Sequence, residues 1–233
     1  MAERVGVVVV AGGSGSRMGA VLPKQFLEIA GRPILVRTVE RMREALPEAE
    51  IVVVLPESHV ELWRECYAKA DCRVEHRVAL GGATRFDSVA SGIAALSDDC
   101  QLVAVHDGVR PLLSVDMIRR GVECARESGA AVPVIAVVDS IREVDSVGSH
   151  VVDRSRLRAV QTPQVFRADL LKKAYAEVGA RLADRAKATD DASVVEMAGY
   201  VVALYDGEPQ NLKLTTPTDL SVAEVILANG ANI

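Results

Sequence analysis

The chain has 233 residues, of which 49% are hydrophobic and only 3% are aromatic, and its formal net charge is −5. This composition predicts a globular domain with an aliphatic core and excludes a disordered chain. The negative charge and the scarcity of rings argue against a nucleic-acid-binding protein, which needs a basic face and stacking side chains. No apolar run approaches the ~20 residues that span a bilayer, so we expect no membrane contact.

Two features bear on the cellular compartment. The N-terminal residues MAERVGVVVVAGG contain neither a cationic segment with a cleavage site nor an Arg- and Ser-rich transit segment. The four cysteines, Cys66, Cys72, Cys100 and Cys124, form no CxxC pair, and this usage is typical of reduced thiols. We therefore expect a cytoplasmic protein.

Short β-branched runs alternate with amphipathic stretches over the first 140 residues. The β-branched runs predict strands at 5–11, 51–55, 74–78, 102–106 and 131–138. The stretches with helical periodicity predict helices at 34–45, 58–70, 85–96 and 116–127. Strict alternation of strand and helix predicts right-handed crossovers and a mostly parallel sheet with helices on both faces.

The pattern changes at Asp139. Residues 139–160 are polar and charged, with short valine pairs on either side of Gly148, and this predicts a β-hairpin. Two strands are marginally stable alone, so we expect this arm to project from the domain and to need a partner surface. Further elements are predicted at 168–178, 190–198, 200–205 (a strand) and 218–228, with Thr218 as the last N-cap. One domain, 1–233, would contain them all.

The segment AGGSGSRMGAVLPKQ, residues 11–25, follows the first strand and contains four glycines before a Pro-Lys pair. Glycines let the main chain approach an anion closely, and successive N–H groups can form a concave anion site. The spacing fits neither the P-loop, which needs G-x-x-x-x-G-K-[ST], nor the dinucleotide fingerprint G-x-G-x-x-G, whose third glycine is Met18 here. The two cations Arg17 and Lys24 therefore make a different phosphate-binding loop the best interpretation.

Seven motifs recur in order along the whole chain: GGSGSRM…PKQFL, GGATRFDSV, HDGVRP, VDRSRL, QTPQVF, TDDAS and NLKLTTPTDL. Together they resemble the 2-C-methyl-D-erythritol 4-phosphate cytidylyltransferase family of the nucleotidyltransferase superfamily. The resemblance implies a Rossmann-like three-layer α/β fold with a twisted, mostly parallel sheet and a β-arm, 139–160, used in homodimerisation. It also implies an enzyme of non-mevalonate isoprenoid biosynthesis that joins CTP to a polyol phosphate and releases pyrophosphate.

On the nucleotide side, the resemblance implies that Arg17 and Lys24 stabilise the pentacoordinate transition state. Arg85 and Asp87 fit a charge pair at a helix start equally well, and neither is interpreted as catalytic. The residues expected to hold the nucleotide, mostly through the backbone, are Ala11, Gly12, Gly13, Gly15, Gly82, Ala83 and Ser88.

Asp107 ends the fourth strand and is the acid expected to meet both loops. A lone carboxylate beside substrate phosphates is the usual arrangement for Mg²⁺, so Asp107 is the predicted ligand of Mg²⁺ or another divalent cation as well as a substrate contact. Lys213 is grouped with Arg17 and Lys24 as catalytic, and His106 is interpreted as a buried neighbour. The other substrate contacts implied by the resemblance are Arg110, Ser140, Arg154, Thr162 and Thr189.

Three other functions remain as alternatives. A ribitol-5-phosphate cytidylyltransferase shares the nucleotide-side motifs and would differ in the polyol pocket. An NAD-dependent dehydrogenase is disfavoured by the broken fingerprint and by Leu55-Pro56 where an acidic residue should end the second strand. A non-catalytic nucleotide-binding module is disfavoured because Arg17, Lys24 and Lys213 occur together with an acid.

Overall fold

A computed structural model describes residues 3–13 and 22–229 of the chain. The strands are β1 (Val5–Val10), β2 (Glu28–Ile29), β3 (Arg32–Pro33), β4 (Glu50–Leu55), β5 (Arg77–Leu80), β6 (Leu102–Asp107), β7 (Ala130–Ala136), β8 (Ile141–Val144), β9 (Ser149–Val152), β10 (Arg158–Val160), β11 (Gln164–Arg167) and β12 (Ala203–Asp206). The helices are α1 (Ile34–Ala45), α2 (Val60–Lys69), α3 (Arg85–Ala95), α4 (Val115–Ser128), α5 (Ala168–Gly179), α6 (Leu182–Arg185), α7 (Asp191–Met197) and α8 (Pro217–Ala228).

The main sheet is mostly parallel, as the alternation of elements predicts. Strands β5, β4, β1 and β6 lie side by side and parallel. Beyond β6 comes β11, which runs antiparallel to both β6 and β7, and β12 then pairs parallel with β7. In register, Val10 lies beside Val54 and Asp107, so the carboxyl ends of the central strands meet at one edge. This is the edge at which open α/β sheets bind ligands.

Alternate residues of the central strands enter opposite layers of core. In β1, Val7 and Val9 pack with α1, α2 and α4, whereas Val8 packs with α3, α5 and α7. Both sides are fully buried because helices cover both faces, and this explains why β1 and β4 read as continuous valine runs. A third apolar cluster joins α8 to Ile29 and Leu112, close to the ligand-binding edge. The three-layer Rossmann-like fold is therefore confirmed.

Several predicted boundaries are wrong for identifiable reasons. The strand expected at 74–78 begins later, at Arg77, as β5. The carbonyl of Val74 accepts hydrogen bonds from the Tyr67 hydroxyl and the His76 ring, so pairing with β4 starts only at Arg77. The strand expected at 200–205 begins at Ala203. Strand β11 was missed, since its apolar part is only Val165 and Phe166.

The predicted N-cap of α8 is also wrong. Thr216, not Thr218, accepts the N–H of Asp219 and forms a capping box with that residue. Pro217 then occupies the first helical position, where its missing N–H costs nothing. A threonine does cap this helix, as predicted, but it is the one before Pro217 and not the one after it.

Residues 141–152 form a separate two-stranded sheet, β8–β9, which pairs with no strand of the main sheet among the described residues. The hairpin predicted at 139–160 is therefore present over its first part. Its last three residues, β10, return to the main sheet beside β7. Among the described residues, no helix combines the length and apolar character that a bilayer crossing requires.

Candidate active site

A cavity of about 370 Å³ opens at the carboxyl edge of β1, β4, β5 and β6. Each strand supplies the loop that follows it, so residues far apart in sequence share one wall. Most of the predicted nucleotide-side residues are brought together here. The cavity is lined by Val10, Ala11, Gly12, Gly13, Lys24, Gln25, Pro56, Gly81, Gly82, Ala83, Thr84, Arg85, Ser88, Asp107, Val109 and Lys213.

The side of the cavity that carries Lys24 is built on a buried glutamine. Gln25 is 1% exposed, and its Nε2 donates to the carbonyl of Ala11 at 2.8 Å and to Nδ1 of His59 at 3.2 Å. This bond ties the short helical turn that begins at Lys24 to the end of β1. A Cβ on Gly13 would lie 3.4 Å from Cε of Lys24, so the lysine stem lies directly over the glycine backbone. Sequence reasoning missed Gln25, although it adjoins Lys24 in the PKQ motif.

Two predicted residues of this loop, Gly15 and Arg17, lie outside the described residues. The interpretation of Arg17 as a phosphate ligand therefore stays a prediction from the motif.

The second wall is a turn held tightly against the start of α3. The Ser88 hydroxyl accepts the N–H of Gly82 at 3.2 Å and donates to the carbonyl of Thr84 at 2.9 Å. Thr84 caps α3 in a box with Asp87. A Cβ on Gly82 would overlap Cβ of Asp87, so only glycine permits this approach. Ser88 thus acts on the shape of the turn, whose backbone faces the cavity.

Asp107 is oriented by a chain of directional hydrogen bonds. Its backbone N–H donates to Oγ1 of Thr162 at 3.1 Å, and that hydroxyl lies 3.0 Å from Nδ1 of His106. Nε2 of His106 lies 3.1 Å from the carbonyl of Arg110, which can only accept, so the proton is on Nε2 and Thr162 donates to Nδ1. Burial lowers the pKa of His106 to about 4, which keeps the ring neutral.

The carboxylate of Asp107 is surrounded by cations. Its Oδ2 lies 3.0 Å from Nζ of Lys213 and 3.1 Å from Nε of Arg110. Burial alone would raise the pKa of Asp107, but Lys213, Arg85 and Arg110 outweigh that effect and hold the pKa below its usual range. The group is therefore an anion. Its other oxygen, Oδ1, accepts no hydrogen bond from the described residues.

Not all predicted substrate contacts reach this cavity. Ser140 and Arg154 are exposed on the arm, and the Arg154 guanidinium contacts the carbonyl of Val138. Thr189 is exposed just before α7. Thr162 is 5% exposed, and its hydroxyl is engaged by Asp107 and His106. A single chain therefore brings most of the described residues predicted for the nucleotide side to one cavity, whereas Ser140, Arg154 and Thr189 lie elsewhere on its surface.

Arg85 was not predicted to face the cavity, yet it lines the wall between the turn and Asp107. Its guanidinium forms a bidentate ion pair with Asp191, at 3.0 Å and 2.6 Å, and the Tyr175 hydroxyl donates to the same carboxylate at 2.6 Å. Asp191 is fully buried. The sequence signal for this pair was weak, because the two residues belong to different motifs separated by 106 positions.

A larger cavity, about 810 Å³, lies at the opposite edge of the sheet, beside the first residues of β4 and β5. Arginines line its wall, but each of those described next already has a carboxylate or carbonyl partner within the protein. Arg4 and Arg77 contact Glu50, and Arg43 donates to the carbonyls of Ala49 and Glu75. Glu50 also groups with Asp99 and Cys100, but its arginine partners make a metal site there unfavourable. We therefore place the chemistry at the carboxyl edge.

Glycines after the first strand, together with Lys24, Lys213 and the Asp107 carboxylate around one cavity at the carboxyl edge of a Rossmann-like sheet, form the arrangement expected of a nucleotidyltransferase. Comparison with known proteins narrows this class. The family model described as 2-C-methyl-D-erythritol 4-phosphate cytidylyltransferase matches residues 5–229, and the chain belongs to that family.

Similar relatives and solved structures support the assignment over nearly the full chain. The chain is 43% identical to the 2-C-methyl-D-erythritol 4-phosphate cytidylyltransferase of Bacteroides thetaiotaomicron, over 95% of this chain and 98% of that protein. The crystal structure of the Thermus thermophilus protein of that name is similar with a TM-score of 0.77 and 36% identity, covering 97% and 99% of the two chains. The 4-diphosphocytidyl-2C-methyl-D-erythritol synthase of Anaerococcus prevotii gives a TM-score of 0.83 at 26% identity, covering 97% and 96%.

Proposed function

We propose that this chain joins CTP to 2-C-methyl-D-erythritol 4-phosphate, forming 4-diphosphocytidyl-2-C-methyl-D-erythritol and pyrophosphate in non-mevalonate isoprenoid precursor biosynthesis. One observation carries the proposal. The phosphate loop with Lys24, the Gly82–Ser88 turn and the Asp107–Lys213 pair face one cavity of about 370 Å³. Family membership supplies the identity of the two substrates.

The reaction needs positioning and charge stabilisation more than proton transfer. A phosphate monoester is already anionic near neutral pH, so its oxygen can attack the α-phosphorus of CTP without a general base. Negative charge then grows on the equatorial and leaving oxygens. Lys24, and Arg17 on motif grounds, would stabilise that charge from the glycine-rich loop. His106 is buried and neutral, and its two ring nitrogens are committed to Thr162 and Arg110, so it takes no part as a base.

On the acceptor side, Lys213 would position the polyol phosphate for attack, with Arg110 beside it. Arg110 also donates to the carbonyl of Asn211 at 2.8 Å, so its guanidinium is fixed to the segment that carries Lys213. Thr189 would add a phosphate contact, and Thr162 would act through Asp107, whose backbone N–H it accepts. The role of Thr189 follows from the family motif alone, whereas the roles of Lys213, Arg110 and Thr162 also rest on the positions described above.

The residues of the cavity fit a divalent cation, for which we propose Mg²⁺. Asp107 is anionic, lies at the cavity wall and has Oδ1 uncommitted among the described residues. Mg²⁺ is commonly held by one or two carboxylates together with substrate phosphates, and when bound it neutralises phosphate charge. Asp107 would be its protein ligand.

We also propose that the chain is one nucleotidyltransferase domain that forms a homodimer through the arm, residues 139–160. The arm exposes a set of valines that two isolated strands cannot cover. Within the arm, Val144, Val147 and Val151 are 75%, 94% and 70% exposed, and Val138, just before it, is 77% exposed. A symmetric exchange of arms would bury them and would carry Ser140 and Arg154 toward the partner's cavity.

The reaction would take place in the cytoplasm. All four cysteines are free thiols, and this is the state that a reducing compartment maintains.

Pyrophosphate release tests the reaction and separates it from its nearest rival. Purified protein is incubated with CTP, Mg²⁺ and either 2-C-methyl-D-erythritol 4-phosphate or ribitol 5-phosphate. We expect rapid release with the first acceptor, strong preference for CTP over UTP and ATP, and loss of activity with EDTA that Mg²⁺ restores. Faster turnover of ribitol 5-phosphate would overturn the proposed acceptor, and full activity in EDTA would overturn the metal.

A further inference from the structure

Arg85 stands out among the charged residues that this mechanism does not use. It lies in the first turn of α3, next to the turn that contains Gly82, and it lines the same cavity as Asp107 and Lys213. Its side chain keeps 28% of its surface accessible, whereas that of its partner Asp191 keeps none. The buried carboxylate therefore lies behind the guanidinium, and the accessible part of the pair is the cation.

The guanidinium is held rigidly from behind. Asp191 occupies two of its five N–H groups through both carboxylate oxygens. Asp191 is in turn fixed by the Tyr175 hydroxyl, and the Tyr175 ring stacks on Phe86 with centroids 4.6 Å apart. The start of α7, which carries Asp191, is anchored independently, because buried Gln164 bonds both Asp190 and the N–H of Ala192. A side chain as long as arginine is thus kept in one orientation.

The remaining N–H groups have no acceptor among the described residues, although each is a strong donor. Burial would lower the pKa of Arg85, but the charge and hydrogen bonds of Asp191 outweigh this and raise it, so the group is permanently a cation. The charge of Asp107 also acts on Arg85 across the cavity. A fixed planar cation with spare donors at a cavity wall is suited to a phosphate oxyanion.

We propose that Arg85 is a further substrate-binding residue, which donates to a phosphate group in the cavity while Asp191 and Tyr175 hold it in place. The inference rests on the proposed function, because that function brings the phosphates of CTP and of the polyol phosphate into this space. The shared ligand chemistry is a phosphate oxyanion, and binding measurements with separate ligands distinguish the two sources.

Binding of CTP, cytidine and 2-C-methyl-D-erythritol 4-phosphate is measured by calorimetry, or by ligand NMR where binding is weak. Loss of one charge-assisted hydrogen bond corresponds to about a tenfold to hundredfold loss of affinity. We expect Arg85→Gln to weaken CTP, the polyol phosphate or both by that factor and to leave cytidine, which has no phosphate, unchanged. Arg85→Lys keeps the charge but loses the planar set of donors of the guanidinium. Its affinities should lie between those of Arg85→Gln and of the wild-type protein.

Arg185→Gln is the matched control. Arg185 pairs with Asp87 in the same turn of α3 but does not line the cavity, so its loss should change none of the three affinities by more than about twofold. Asp191→Asn provides a second variant if Arg85→Gln does not fold. It keeps the guanidinium and loosens its anchor, and we expect a smaller loss confined to the phosphate-bearing ligands.

The outcomes separate the inference from the function on which it rests. Equal weakening of CTP and cytidine would mean that Arg85 only shapes the Gly82–Ser88 turn, and unchanged affinity for both phosphate ligands would also overturn the inference. In either case wild-type turnover leaves the proposed function intact. Wild-type protein that binds neither phosphate ligand would overturn both.

Discussion

At the scale of single residues, the site depends on how each charge is held in place. Asp107 is a buried anion whose Oδ2 contacts two cations and whose backbone is held by Thr162. Lys24 is placed by its neighbour Gln25, which has almost no exposed surface. Preorganised charges of this kind need no reorientation as the reaction proceeds, and that is why they stabilise a transition state better than water does.

Lys24→Ala should lower kcat by about 10² to 10³ and leave the fold unchanged, because it removes one preorganised cation from the reacting phosphates. Steady-state pyrophosphate release measures the effect, and circular dichroism monitors the fold. Lys69→Ala, at the exposed end of α2, is the control and should retain wild-type turnover. If Lys24→Ala turned over at the wild-type rate, Lys24 would have no place in the mechanism. The same loss is expected for Arg17→Ala.

His106 should make the protein sensitive to acid. Its pKa in the folded protein is about 4, below the ordinary value of 6.5, so the unfolded chain binds a proton more readily. The stability that follows from this difference is fully present above about pH 6.5 and is lost as pH falls toward 4, and it amounts to about 3 kcal/mol. Urea unfolding of wild type and His106→Asn at pH 7 and pH 4.5 tests this. An asparagine side chain cannot titrate, so the variant should lose less stability between the two pH values; an equal loss would contradict the assignment.

At the scale of elements, the cavity is formed by the ends of helices and strands that are themselves tightly packed. The Gly82–Ser88 turn is fixed because α3 begins with a capping box at Thr84 and packs on β1 and β4. That close contact requires glycine in the helix. A Cβ on Gly92 would overlap Cγ1 of Val8 and would lie 2.8 Å from Cγ2 of Val54.

Gly92→Ala should therefore destabilise the protein by about 1–3 kcal/mol, because the added methyl group overpacks a filled core. Gly179→Ala is the matched control. Gly179 ends α5, and its nearest neighbour would be the Phe86 ring at 3.5 Å, an ordinary contact, so alanine there should be neutral or stabilising by up to about 1 kcal/mol. The free energy of unfolding in urea measures both. Equal effects of the two substitutions would show that helix propensity, and not packing, governs Gly92.

At the scale of the whole molecule, one chain builds only part of the predicted site. The cavity that contains most of the predicted nucleotide-side residues is assembled within the chain, while Ser140 and Arg154 lie on an exposed arm, three of whose valines, Val144, Val147 and Val151, are also exposed. Arms exchanged between two chains would account for both facts at once, since burial of the valines would place the two polar groups at the neighbouring cavity.

Mixing two inactive variants tests shared sites. Lys24→Ala damages the cavity of its own chain, and Arg154→Ala damages the arm. If arms are exchanged, a mixed dimer contains one cavity with intact Lys24 and an intact arm from the other chain, and part of the activity should return after subunit exchange. Recovery is measured by pyrophosphate release, with exchange verified by differently tagged chains. Absence of recovery after verified exchange would mean that each site is built from a single chain.

Much of the fold was predictable because its signals are local. Valine runs flanked by periodic helices indicated the parallel sheet, and the bounds predicted for α1 match the structure. The ordered motifs indicated the family, and the position of glycines after β1 and β5 indicated the ligand-binding edge. The prediction failed for β11 because its apolar run is short. It misplaced the start of β5 because Trp63 and Tyr67 form hydrogen bonds with His76 and Val74, which keeps residues 74–76 out of the strand.

Local sequence patterns were enough to predict the two-faced sheet and the family, because each is encoded in motifs whose residues lie a few positions apart. Which charged groups come into contact depends on the tertiary structure. Lys213 forms an ion pair with Asp107, and Arg85 forms one with Asp191. The Thr162 hydroxyl accepts a hydrogen bond from the backbone N–H of Asp107 and does not face solvent. Such contacts join loops after different strands, and their partners are set by strand order and register, which no local pattern of side chains records.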